Sequence, residues 1–130
     1  MSKSISTIQS RWFVCATDEL GPGQRKIITI HDQSIGVFNI NGMIVAVLNL
    51  CPHQFAPICS GRLSGTTLAS LPGEYIWGRE GEILSCPWHG WEFDMLTGQC
   101  LTDKSRLRIY STLVEQGSIF VLIAEGNNEK

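Results

Sequence analysis

Cys51-Pro52-His53-Gln54-Phe55 and Cys86-Pro87-Trp88-His89-Gly90 decide how the rest of the chain is read. Each stretch opens on Cys-Pro, and each supplies one thiol and one imidazole. Thiolates bind ferric iron strongly and lose their proton on binding, whereas neutral imidazole is the weaker donor. Two Cys and two His could hold a structural zinc tetrahedrally. Zinc pairs, however, are usually separated by two or more residues, and only Pro52 stands between Cys51 and His53. Chance proximity is the remaining alternative, and four such residues in two Pro-containing loops argue against it.

Cys-Pro-His followed by Cys-Pro-Trp-His resembles the ligand signature of Rieske 2Fe–2S proteins. The resemblance implies one 2Fe–2S cluster per chain, with Cys51 and Cys86 on one iron and His53 and His89 on the other. Such a cluster is electronically lopsided, and its potential lies above that of an all-Cys cluster. Respiratory Rieske proteins carry a further Cys in each loop, joined as a disulfide. Ala56 and Trp88 stand at the matching positions here, so the chain is similar to the disulfide-free class.

Two departures from the family pattern bear on the site. Phe55 occupies a position where members commonly have Gly, which puts one backbone contact to the cluster in question. Its ring either enlarges an apolar tip beside His53, bordered by Gln54 and Trp88, or packs under the loops. After Thr97-Gly98, where a Pro commonly stiffens a third loop, the chain reads Gln99-Cys100-Leu101-Thr102-Asp103-Lys104. Trp88 and Trp91 either shield the metal from water or fill a small local core.

Outward from these loops, short β-type runs alternate with turn residues. Arg11–Thr17, Lys26–His31, Gly36–Ile40, Met43–Leu48, Arg106–Val114 and Ser118–Ala124 read as strands. Asn41-Gly42 is a hairpin turn, because both residues tolerate positive φ, and Gln116-Gly117 is another. No helical period of useful length occurs, so the expected class is all-β. With the resemblance, this becomes an antiparallel β-sandwich base carrying a smaller cluster-binding β insert. Residues 1–130 form one domain, with the insert over about 49–104. The spacing of 32 residues between His53 and Cys86 is long for a small Rieske ferredoxin and accommodates an extra hairpin over Thr66–Glu82.

Composition bounds the function. The chain of 130 residues is 43% hydrophobic and 17% charged, an ordinary globular balance. Net charge is −2 and the cations are scattered singly, so nothing points to nucleic acid or an anionic membrane surface. No stretch has the length of a signal or a membrane span. Cys15, Cys59 and Cys100 read as reduced thiols of a cytoplasmic protein. His31, at a strand end beside Asp32, reads as a surface or turn histidine. Glu74, Glu80, Glu82, Glu92 and Asp94 give the second half of the insert an acidic cast, either a solvated face or a partner-selecting one.

The resemblance implies a soluble one-electron carrier, a ferredoxin rather than an enzyme. It would pass electrons from an NAD(P)H-dependent flavoprotein reductase to a terminal oxygenase. A Rieske-only subunit of a multi-subunit oxygenase, or of another oxidoreductase complex, is the alternative. A complete Rieske oxygenase also needs a mononuclear iron on two His and a carboxylate. With His31 alone left over, this chain cannot build that site.

Overall fold

The computed structural model describes residues 8–52, 55–68, 76–87 and 90–125. Among the described residues nine strands run in chain order: β1 (Ile8–Ala16), β2 (Arg25–Ile30), β3 (Gln33–Ile40), β4 (Met43–Leu48), β5 (Arg62–Leu68), β6 (Ile76–Ser85), β7 (Glu92–Asp94), β8 (Ile109–Glu115) and β9 (Ser118–Glu125). There is no α-helix among the described residues, only short 3₁₀ turns at Thr17–Glu19 and Ile58–Ser60. The all-β antiparallel class is as expected.

Six strands form one sheet in the order β1-β9-β8-β4-β3-β2, and three form a second sheet in the order β5-β6-β7. Tight turns set the registers. Asn41 and Gly42 both have positive φ and join β3 to β4, and Gln116 and Gly117 do the same for β8 and β9. A third turn of this kind forms at His31, which the sequence reads as a surface or turn residue. His31 and Asp32, at φ 52° and 66°, connect β2 to β3. Both residue types are enriched in this region without being as diagnostic as Gly.

β3 and β4 are the wall between two cores. Strand side chains alternate across the sheet. Ile35, Val37 and Ala46 therefore pack into a base core with Val14, Ile119 and Val121. Phe38, Ile40, Val45 and Val47, at the intervening positions, pack on the opposite face with Ile58, Leu84, Phe93 and Met95 of the second layer. Double-sided burial explains why these strands read as continuous apolar runs.

β8 begins later than its sequence suggests. Leu107 donates its backbone N–H to Gly98 O, and Arg106 bridges to Gln99, so these residues close the third loop before β8 pairs with β4 at Ile109. The anticipated hairpin is present as paired arms, with Thr66, Thr67 and Leu68 opposite Gly78, Trp77 and Ile76. Glu74 and the connection between the arms lie outside the described residues. No helix among the described residues is long and apolar enough to cross a membrane.

Candidate metal centre

The two Cys-Pro stretches fold into loops with one backbone pattern. In the first, Cys51 N–H donates to Ala56 O and Phe55 N–H donates to Cys51 O, both at 2.8 Å. In the second, Cys86 N–H donates to Trp91 O at 2.8 Å and Gly90 N–H to Cys86 O at 2.9 Å. Each loop thus hangs from its cysteine by a bond to the fifth residue onward and one from the fourth. Pro52 and Pro87, next in line, are exposed, and their rings fix φ at the start of each turn.

Cys51 and Cys86 are buried and belong to the same core cluster, beside Ala56, Cys59, Leu84 and Phe93. The loops rise from that core to the surface, where Phe55 is 70% exposed and Gly90 is open to solvent. Of the two readings for Phe55, the ring therefore points outward. His53, Gln54, Trp88 and His89 lie outside the described residues. All four fall between the anchoring bonds of the two loops, two in each.

The residue after each anchor differs in how it reaches a left-handed backbone. Gly90 has φ 73° and Phe55 φ 58°. Phenylalanine there carries a conformational cost that glycine escapes.

The support beneath the first loop comes from residues that sequence reasoning passed over. Asn49 Oδ1 accepts the Cys59 N–H at 2.7 Å, and its amide donates to Ser34 Oγ at 3.1 Å. Arg25, on β2, donates from Nη1 to the carbonyls of Cys59 and Gly61 at 2.7 and 2.5 Å. Asn49 had a signal, a turn-forming polar residue two positions before Cys51. Arg25 had none.

The third loop lacks the stiffening Pro yet is tied by hydrogen bonds. Cys100 N–H donates to Ser105 O, Leu101 N–H to Glu92 O, and Ser105 N–H to Asp103 Oδ1. Beyond them, the acidic cast resolves into an ion-pair network. Arg79 bonds Glu82 Oε1 and Asp94 Oδ1, each at 2.8 Å. Burial pushes the Asp94 carboxyl up, but the Arg79 guanidinium and the Leu96 N–H outweigh it and hold Asp94 below its ordinary value.

All five cysteines are buried, and none is joined in a disulfide. Burial pushes the Cys59 thiol up to about 12, against the opposing pull of Arg25. The two thiols at the loop bases, Cys51 and Cys86, thus share one apolar core and one loop geometry, a donor set that fits a metal group held between the loops.

The Rieske [2Fe-2S] domain family matches residues 10–111. The chain is 27% identical over 118 residues to the 3-phenylpropionate/cinnamic acid dioxygenase ferredoxin subunit of Photorhabdus laumondii, covering 89% of this chain and 97% of that one. It is 31% identical over 98 residues to the oxygenase component of dicamba O-demethylase from Stenotrophomonas maltophilia, covering 75% of this chain but 24% of that longer protein. In fold it is similar to the carbazole 1,9a-dioxygenase ferredoxin solved in complex with its oxygenase, at TM-score 0.67 and 21% identity, over 84% of this chain and 98% of that one. With the family matched over most of its length and paired Cys-Pro loops on a common core, the chain belongs to the Rieske [2Fe–2S] family, and its cofactor is a Rieske-type 2Fe–2S cluster.

Proposed function

We propose that this chain is a one-electron carrier, a Rieske ferredoxin that delivers electrons to a terminal oxygenase. The observation that carries the reading is the pair of like loops rooted on buried Cys51 and Cys86, in a chain that spans nearly the whole of a ferredoxin relative. Cys51 and Cys86 would hold one iron, and His53 and His89 the other. When bound, the cluster supplies a one-electron couple at higher potential than a plant-type all-Cys 2Fe–2S cluster. The protein supplies the rest. The core keeps the thiolate side dry, and the loops run from it to the surface at Phe55 and Gly90.

The single domain of residues 1–130, with its cluster-binding part at about 49–104, accords with a second sheet confined to Arg62–Asp94. The three cysteines outside the ligand set, Cys15, Cys59 and Cys100, form no disulfide, which supports a reducing cytoplasm. The donor would be an NAD(P)H-dependent flavoprotein reductase. The acceptor is drawn from the ferredoxin–oxygenase complex in which the structural relative is found.

Purified protein should be red-brown, with two irons and two acid-labile sulfides per chain. It should be reduced by NAD(P)H through a flavoprotein reductase and reoxidised by a terminal oxygenase with substrate turnover. A colourless folded protein with stoichiometric zinc, made with ample iron, would overturn the reading. The similarity to an oxygenase component favours one second reading, a Rieske-only subunit in a larger oxidoreductase. Stable co-purification with a large catalytic chain would establish that subunit instead of a free carrier.

A further inference from the structure

Arg25 stands on β2, in the base sheet, 26 positions before Cys51. Its guanidinium lies 5.1 Å over the ring of Phe38, which is fully buried on the metal side of the β3–β4 wall. From there Nη1 bonds Cys59 O and Gly61 O, within and just beyond the 3₁₀ turn that closes the first ligand loop. Gly61 in turn packs so tightly against Ser85 O that a Cβ could not be placed there. Ser85 immediately precedes Cys86. One side chain therefore grips the junction where the exit of the first loop touches the entrance of the second.

We propose that Arg25 is a positioning residue for the cluster: it locks the two ligand loops together, and its fixed positive charge favours the reduced state. The inference rests on the cluster being held between the Cys51 and Cys86 loops. Reduction adds one electron, and so one negative charge, without breaking a bond. A half-buried cation at the edge of the same core lowers the free energy of that added charge, because screening is weaker there than in water. The pull of Arg25 on the Cys59 thiol shows that its field reaches this core. Arginine suits the geometry because Nη1 offers two N–H groups to the two carbonyls while the flat guanidinium lies over the Phe38 ring, a stacked arrangement that a compact ammonium does not reproduce.

Two variants of the holoprotein separate geometry from charge. Arg25→Gln removes both, and Arg25→Lys keeps the charge while losing the guanidinium plane stacked on Phe38. Each is equilibrated with dithionite and mediators at a fixed potential, and the reduced fraction is read from the EPR signal. Bleaching in excess chelator gives the rate of cluster loss. Arg25→Gln should lower the reduced-to-oxidised ratio on the order of fivefold. Arg25→Lys should leave that ratio close to wild type, and both variants should lose the cluster several-fold faster. An intact Arg25→Gln spectrum with an unchanged ratio overturns the electrostatic part. Should the Gln variant fail to assemble, an Arg25→Lys protein that loses its cluster at the wild-type rate overturns the positioning part. Failure of the underlying reading would show earlier, as a wild-type protein without a Rieske spectrum.

Discussion

Phe55 and Gly90 hold the same place in the two ligand loops, each donating its N–H to the carbonyl of the cysteine four residues before it, each at positive φ. The likeness also shows how the loops differ. His53 is the third residue of its loop and His89 the fourth of its own, so equivalent frames present their histidines at different steps. The glycine needs no explanation in this conformation. The phenylalanine does, since it pays for a left-handed backbone while leaving its ring in solvent.

Phe55→Asn should therefore stabilise the protein, because Asn tolerates the left-handed region and the exposed ring buries little. Relief of a cost of about 1 kcal/mol should raise Tm by roughly 2–6 °C, read by circular dichroism. Gly90→Ala should act in the opposite direction by a similar amount. Among the described residues a Cβ there meets no atom within 4 Å, so the expected cost is conformational. If the ring serves partner docking, Phe55→Ala will slow electron transfer to the oxygenase while leaving potential and stability almost unchanged. A fall in Tm with transfer per folded molecule intact would rule docking out.

Changing a ligand histidine to cysteine tests the ligand assignment. His53→Cys or His89→Cys adds negative charge to the metal site, so any variant that assembles should shift toward roughly −400 mV, the plant-type value. Voltammetry measures the shift. Cys51→Ser or Cys86→Ser should prevent assembly, because ligand loops are ordered by the metal they bind. An unaltered EPR spectrum in His89→Ala would refute the assignment.

Gly36 and Cys59 should be energetically coupled. A Cβ on Gly36 would collide with Cys59 Sγ and stand 3.0 Å from Phe38 Cε1, all inside the wall between the cores. Gly36→Ala should cost about 1–3 kcal/mol in urea unfolding. Cys59→Ala removes the sulfur, so the double variant should recover about 1 kcal/mol relative to the sum of the singles. Strict additivity would show that the backbone yields instead.

The Arg79–Asp94 pair should make stability fall in acid. The folded Asp94 carboxyl is held below its ordinary value, so its contribution is complete above the unfolded pKa, about 3.9. It is lost as pH drops through the lower folded value. Denaturant midpoints for wild type and Arg79→Met should thus differ by a constant amount above about pH 5 and converge below about pH 4. A gap that persists at the acid end would assign the effect of Arg79 to packing.

Much of this protein was determined by the sequence itself. Cys-Pro-His and Cys-Pro-Trp-His carry the cofactor chemistry because thiolate and imidazole donors are few and their spacing is local. Asn41-Gly42 and Gln116-Gly117 announce hairpins because positive φ is a property of the residues themselves. Tertiary structure alone decided the rest. His31-Asp32 turns left-handed only because β2 and β3 pair around it. Phe55 faces solvent because its loop frame points that way. Arg25 reaches the exit of the first loop from a strand far earlier in the chain. Glu82 and Asp94 become partners of one arginine only once β6 and β7 lie side by side. Local chemistry can be read along a chain, whereas which distant residues share a surface is set by how strands pair and cores close.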